Sequence, residues 1–334
     1  MNVLLTGGLG YIGSHTAVVL SHLGNQITLY DNLSNSTEIV AKNIEKICGQ
    51  KINFVKGDVR NTETLKHVLT SFKIDSVIHF AGSKSVAESV KEPIEYYDNN
   101  VQSTISLLCA MRLAQVKSLV FSSSATVYGD PLYLPFDEQH PTNPISPYGR
   151  SKLHIEEMLA DVAASDSEWC IACLRYFNPV GAHDSGLIGE NPKGIPSNLM
   201  PYIAQVASGL REVLNVFGND YPTRDGTGVR DYVHVMDIAD GHAAALTYLR
   251  KHPSWQSINL GTGQGYSVLE IIDAFEVASG KSIPFRVVPR RAGDIAEFYS
   301  STIIAQRELK WKASRDLINM CASTWKFQTQ LTKS

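Results

Sequence analysis

The chain has 334 residues, 43% of them hydrophobic, and 30 Lys+Arg against 33 Asp+Glu leave a net charge of −3. That size and composition suit one large or two smaller globular domains, and the near-neutral balance without a basic cluster argues against a nucleic-acid partner. No apolar run approaches the ~20 residues of a membrane-spanning helix, and five cysteines in so long a chain make no disulfide framework, so a reducing cytoplasm is expected.

Asn2–Thr6 is a short apolar run that predicts a strand, starting too early to leave room for a leader peptide. Gly7-Gly8-Leu9-Gly10-Tyr11-Ile12-Gly13 follows, and residues 14–23 read as a helix with apolar Ala17, Val18 and Leu20. In such a strand–turn–helix unit Gly7 allows the tight turn and Gly10 lets the backbone approach a pyrophosphate. Gly13 permits close helix–strand packing. The helix N-terminus then offers free N–H groups and its positive dipole end to phosphates. A second strand at 26–30 ends in Asp31, which reads either as an ordinary loop acid before Asn32 or, by its register after the glycines, as the carboxylate that takes ribose hydroxyls and repels a 2′-phosphate, favouring NAD over NADP.

Further strands are expected at 52–56, 76–80, 119–122 and 169–176, with helices near 62–72, 95–115 and 147–164. That alternation predicts an α/β fold, a doubly wound, Rossmann-like parallel sheet with ligands at the strands' C-terminal ends. Asp58, Phe80, Ala81, Gly82, Asn99, Ser122, Ser123 and Ser124 are then expected to line the cleft. After Tyr176 the pattern breaks into a Gly-, Pro- and Asn-rich stretch with one helix near 198–208 and a strand at 214–217. Residues 235–250 and 257–260 read as one more helix–strand unit, and those beyond 262 as a mixed tail. The expected division is 1–176 with 231–261 as an NAD-binding domain, and 177–230 with 262–334 as a smaller mixed α/β substrate domain.

Cys170-Ile171-Ala172-Cys173 has the spacing of a redox dithiol or half a zinc site. Within a strand, however, positions three apart face opposite sides of the sheet, and no second pair completes a site. Buried thiols are therefore expected, and no metal.

Ser146-Pro147-Tyr148-Gly149-Arg150-Ser151-Lys152 places a Tyr and a Lys four apart at a helix start, on one face. A free phenol titrates near ~10 and is a poor base at neutral pH, whereas a fixed cation beside it favours the phenolate. Tyr148 is thus a candidate base and Lys152 the group expected to lower its pKa. Ser124, taken alone, reads either as a third catalytic group or as a polar strand end.

Together, GxxGxxG, the Ser124 strand end and YxxxK resemble the extended short-chain dehydrogenase/reductase family. Arg175-Tyr176-Phe177-Asn178-Pro179-Val180-Gly181-Ala182-His183, Ile195-Pro196-Ser197-Asn198-Leu199-Met200-Pro201, Phe217-Gly218-Asn219-Asp220-Tyr221-Pro222-Thr223 and the stretch from Asp225 to Asp237 are similar to its UDP-hexose 4-epimerases. The similarity runs from Met1 to about Phe327. It implies an isomerase that interconverts UDP-galactose and UDP-glucose in galactose metabolism, with NAD as cofactor. Tyr148 would take the proton of the 4-hydroxyl while hydride leaves C4 for NAD, and the 4-keto sugar would turn before hydride returns to its other face. Ser124 would stabilise the 4-oxygen, and Lys152 would hold the nicotinamide ribose.

On the cofactor side the resemblance implies Gly7, Gly10, Tyr11, Ile12, Gly13, Asp31, Asn32, Asp58, Val59, Phe80, Ala81, Gly82, Lys84, Asn99 and Ser122. Tyr148, Lys152, Tyr176, Phe177 and Pro179 complete that set. On the substrate side it implies Ser124, Tyr148, Asn178, Asn198, Leu199, Asn215, Phe217, Arg230, Arg291, Asp294 and Phe298. Of these, Arg230 and Arg291 suit a diphosphate by their forked donors, Phe217 would lie against uracil and Asp294 would accept from the uridine ribose. Arg230 with Asp231 reads alternatively as a surface ion pair, and Phe217 as core. Leu9 stands where the family commonly has a small residue. Phe298 stands where it has a Tyr or a small residue limiting the sugar pocket, which predicts poor acceptance of N-acetylated sugars. Residues 328–334 differ from the family's usual ending and are expected to fray.

A homodimer is implied through the helices at 95–115 and 147–164. Two rival functions share the scaffold: a nucleotide-sugar 4,6-dehydratase and a non-catalytic NAD-binding sensor. The first needs an acidic pair beside the strand-end hydroxyl, where this chain has Ala125-Thr126 and no carboxylate. The second has no use for intact Ser124, Tyr148 and Lys152.

Overall fold

A computed structural model describes residues 1–251, 255–291 and 293–332. Its first part alternates strictly: β1 (Asn2–Thr6), α1 (Tyr11–His22), β2 (Gln26–Asp31), α2 (Glu38–Cys48), β3 (Asn53–Lys56), α3 (Thr62–Ser71) and β4 (Ser76–His79). Next come α4 (Val86–Lys91), α5 (Pro93–Tyr97), a π-helical turn (Asp98–Gln102), α6 (Ser103–Leu113), β5 (Ser118–Ser124), α7 (Pro147–Ser165) and β6 (Cys170–Tyr176). The chain continues through β7 (Asn178–Val180), α8 (Leu199–Ala207), β8 (Leu214–Phe217), β9 (Val229–His234), α9 (Val235–Leu249) and β10 (Trp255–Leu260). It ends with β11 (Gly265–Ser267), α10 (Val268–Ser279), β12 (Phe285–Val288), β13 (Glu297–Phe298) and α11 (Leu317–Leu331).

Seven strands form one all-parallel sheet in the order β3-β2-β1-β4-β5-β6-β10. The order reverses between β1 and β4, which opens a crevice at their C-terminal ends. Helices cover both faces, so the strands are apolar on both sides. Val3, Leu5, Leu29 and Ile78 pack towards Val18, Ile44 and Ile238, whereas Leu4, Val77 and Phe121 pack towards Leu65, Met111 and Ile155. Cys170 and Cys173 divide in the same way, the first against one core and the second inside the other, as strand alternation requires.

The remaining elements build a four-stranded sheet, in which β9 pairs with β7, β11 and β13, and the β8–β12 pair. Helices α8, α10 and α11 close a third core around Met200, Ile203, Val216, Ile271, Phe275 and Met320. The expected boundary at residue 231 therefore falls inside β9. The "mixed tail" beyond 262 carries two full helices, α10 opened by a Ser267–Glu270 capping box and α11 capped by Asp316.

Three expectations need correction. Helix α2 was not foreseen, although Val40, Ala41, Ile44 and Ile47 form an apolar stripe that packs on the first core. The helix expected at 95–115 is broken into α5, the π-helical turn and α6, which puts Asn99 in the turn. The C-terminal stretch does not fray from 328: α11 runs to Leu331, Gln328 is buried, and Gln330 Nε2 donates to the Ser185 carbonyl at 3.0 Å. Lys333 and Ser334 lie outside the described residues.

Candidate active site

The turn after β1 is built by glycine chemistry. Gly7 has φ +65°, its N–H donates to the Tyr30 carbonyl, and a Cβ there would lie 2.6 Å from the Ala81 nitrogen. A Cβ on Gly13 would lie 2.5 Å from the Gly7 oxygen, so this glycine is required by the turn folded beneath the helix rather than by packing against a strand. Gly10 is the N-cap of α1 and no side chain caps it, which leaves the first-turn N–H groups of Tyr11, Ile12 and Gly13 without helical acceptors. The Leu9 side chain joins the core and its N–H donates to Asp31 Oδ2 at 3.0 Å. Asp31 Oδ1 accepts from Leu33 N–H and Ser36 Oγ, so its carboxylate is pinned at the end of β2.

Beside it, Asn32 Nδ2 lies 3.5 Å from Asp58 Oδ2, and the Arg60 guanidinium holds the Asp58 carboxyl at about 2. Val59 is buried behind them. Phe80, Ala81 and Gly82 follow β4, and Asn99 Nδ2 donates to Ser83 Oγ at 2.8 Å. Phe80 and Tyr176 both pack against His242, and Tyr176 donates its hydroxyl to His242 Nε2 at 2.5 Å.

The chemistry-bearing groups converge where β5 ends. Ser146 caps α7 by accepting from Gly149 N–H, with Pro147 pre-set at the first position, so Tyr148 and Lys152 occupy the first two turns. Ser124 Oγ accepts from Thr126 N–H at 3.2 Å and Thr126 Oγ1 at 3.0 Å, and it faces the Tyr148 phenol, which it draws down in pKa. Lys152 Nζ donates to the Ser122 carbonyl at 2.6 Å and stands 6.0 Å from the Tyr148 ring centre. The expected lowering of the phenol is not what the protein alone produces. Burial pushes Tyr148 above its ordinary value, with only Ser124 drawing it down, and burial lowers Lys152 to about 8. Desolvation outweighs a cation that spends its short hydrogen bond on a carbonyl.

Lys84 pairs with Glu190 Oε1 at 2.8 Å, and Asn198 Nδ2 donates to the same oxygen at 2.9 Å. Asn198 is the N-cap of α8 but its side chain makes no cap bond, being diverted to Glu190; Leu199 begins the helix. Tyr11 donates to the Gly181 carbonyl at 2.6 Å. Asn178 and Pro179 lie in β7, register partners of Tyr232 and Val233.

A separate group lies on β8, β9, β13 and the turn before β13. The Arg291 guanidinium sits 3.9 Å from the centre of the Phe217 ring, so Phe217 is a platform rather than core. Arg230 reaches Asp294 at 3.4 Å, whereas Asp231 is buried and bound by Thr262, Gly263 and Ser300; the two adjacent residues form no surface pair. Asn215 Oδ1 is engaged by Arg286 Nε. Phe298 pairs in register with Arg230 and packs against Phe136 at 4.7 Å and Phe177 at 5.1 Å.

Glu156 and Glu190 also join the site, and sequence reading did not single them out; Thr126, noted there only for lacking a carboxylate, joins it as a donor to Ser124. Only Glu156 left a signal there, as an acid one turn beyond Lys152 on the same helix face.

A family model described as GDP-mannose 4,6-dehydratase matches residues 4–324. The UDP-glucose 4-epimerase of Yersinia pestis is 52% identical over 331 residues, covering 99% of this chain and 98% of that protein. The chain belongs to the UDP-glucose 4-epimerase family, within the extended short-chain dehydrogenases/reductases. Among solved structures, the UDP-glucose-4-epimerase of Stenotrophomonas maltophila, with bound NAD and formylated UDP-arabinopyranose, superposes with a TM-score of 0.99 at 53% identity. That match covers 100% of this chain and 99% of the other. The Bifidobacterium longum enzyme in complex with NAD+ and UDP matches this epimerase-family chain with a TM-score of 0.95 at 49% identity, over 99% of this chain and 98% of the other.

Proposed function

We propose that this chain interconverts UDP-galactose and UDP-glucose by inversion at C4, with NAD as a retained cofactor. The observation that carries the reading is the Tyr148 phenol against the Ser124 hydroxyl at the end of β5, with Lys152 one turn along α7. The residues present fit a dinucleotide: a Cβ at Gly7 or Gly13 would fill the turn, and the uncapped α1 N-terminus offers N–H groups to a pyrophosphate. Asp31, Asn32, Asp58, Lys84, Asn99 and Lys152 supply its polar partners. Bound NAD supplies a reversible hydride acceptor for the sugar C4–H bond. Tyr148 Oη accepts the 4-hydroxyl proton and returns it, Ser124 donates to the 4-oxygen, and the Lys152 ammonium stabilises the phenolate.

Arg230, Arg291 and Asp294 exchange their mutual contacts for the diphosphate and ribose, Phe217 takes the base, and Asn178, Asn198, Leu199 and Asn215 complete the grip. Firm holding of the nucleotide, remote from the reacting carbon, leaves the sugar free to turn. The division into an NAD-binding body and a substrate body carrying β7–β9, β11–β13, α8, α10 and α11 follows from the same assignment. Exposed Ile94 on α5 and Ile105 on α6 support pairing of two copies through the α5–α6 stretch and α7. Among the described residues no helix is long and apolar enough to cross a membrane, and the five free cysteines support a cytoplasmic setting.

Incubation with UDP-galactose and no added NAD tests the reading. UDP-glucose without released NADH is the expected result. A 4-keto-6-deoxy product would assign a dehydratase, a reading disfavoured by Ala125-Thr126 after Ser124. Absence of turnover with NAD added would leave the sensor reading.

A further inference from the structure

Tyr148, Lys152 and Glu156 follow one another at four-residue steps and share one face of α7. The last three residues of β5 each meet one of them. Ser124 faces Tyr148, the Ser122 carbonyl accepts from Lys152, and the Ser123 hydroxyl donates to Glu156. Glu156 and Arg175 are 2% and 5% exposed, and their pairing is bidentate: Nη2 reaches Oε2 at 2.6 Å and Nε reaches Oε1 at 3.1 Å. Arg175 is also the register partner of Ser123 across β5 and β6. Its Nη1 donates to the Tyr128 hydroxyl at 3.0 Å, which donates to Asn259 Oδ1 at 2.7 Å, and Asn259 Nδ2 reaches the Phe136 carbonyl under Phe298.

Burying two charges costs several kcal/mol per ion, and a well-packed apolar pair is often as stable, so stability alone is a weak reason for this pair. We infer that Glu156 is a positioning residue of the reaction: its buried carboxylate, clamped by Arg175 and Ser123, sets α7 against β5 and holds the Lys152 ammonium in its charged form beside Tyr148. The inference rests on the proposed role of Lys152. The groups facing Lys152 are Tyr148 and Glu156 from α7, and the Phe121 ring and Ser122 carbonyl from β5. From β4 comes His79, kept neutral by burial at about 3, and from β6 come Cys173, a thiol pushed up by burial, and Arg175 behind Glu156. Glu156 is the carboxylate whose charge opposes the burial that lowers Lys152.

The test compares pH profiles of kcat for UDP-galactose, with lysine-selective NMR titration of Lys152 in the same proteins. Activity falls on the alkaline side as Lys152 loses its proton. In Glu156→Gln that limb moves to lower pH by about one unit, because the uncompensated Arg175 charge remains. In Glu156→Gln/Arg175→Gln, which lacks the buried ion pair and leaves neither partner uncompensated, the limb lies between the single variant and wild type. A limb and a Lys152 titration at the wild-type pH in either variant would overturn the inference, even if kcat fell at all pH values. Lys152→Arg keeps these outcomes separate from the underlying assignment. If the alkaline limb persists there, it is the role of Lys152 that fails, not that of Glu156.

Discussion

The two halves of the site are built on opposite principles. Ser124, Tyr148 and Lys152 stand on β5 and α7, elements of seven and 19 residues, and the strand end and helix are tied by buried hydrogen bonds. Phe217, Arg230, Arg291, Asp294 and Phe298 stand on strands of two to six residues and on a turn, with Arg291 and Asp294 exposed. Proton transfer needs its partners held to a fraction of an ångström, whereas a nucleotide grip must open and close. The proposed grip accordingly carries exchangeable contacts, Arg291 on Phe217 and Arg230 with Asp294.

This contrast is broken most severely at the rigid half. Tyr148→Phe removes the proton acceptor and keeps the ring, so turnover of UDP-galactose should fall about 10²–10⁴-fold with folding and NAD content unchanged. Steady-state assays beside cofactor analysis measure this, and a near-normal rate would remove Tyr148 from the mechanism. Gly7→Ala sets a Cβ against the Ala81 backbone at positive φ. The backbone conformation alone costs about 1–2 kcal/mol, so a lower Tm and loss of bound NAD are expected, by calorimetry and by absorbance of the released cofactor.

At the exchangeable half the effects are smaller and fall on binding. Arg291→Ala should raise KM for UDP-galactose about 10–100-fold, the loss of one or two charged hydrogen bonds, while kcat holds. A fall in kcat at constant KM would place Arg291 on the chemical rather than the binding side. Phe298→Ala should shift preference towards UDP-N-acetylgalactosamine by about tenfold, since opening a pocket wall is worth about 1–3 kcal/mol of discrimination. Equal rates on both sugars in the unaltered protein would remove Phe298 as the limiting wall.

How far each half was legible follows the same division. The seven-stranded sheet could be read almost strand by strand, because a strand buried on both faces writes its own apolar run, as in Val3-Leu4-Leu5. Strands β7, β11 and β13, two or three residues long, carry no such run; each exists because β9 supplies its partner. The substrate-side residues were reached through resemblance to a family, and the Arg291–Phe217 stack and the Lys84–Glu190–Asn198 bridge were not foreseen. Nothing local brings residue 84 to residue 190.

By itself the sequence determined the α/β order, the glycine turn, the acid at the end of β2 and the YxxxK face, since each is set by neighbours within one or two turns of chain. Tertiary structure alone decided the electrostatics. Burial raises Tyr148 and lowers Lys152, and a buried Glu156–Arg175 pair drawn from α7 and β6 stands behind them. Desolvation depends on everything packed around a group, and no local pattern of residues encodes it.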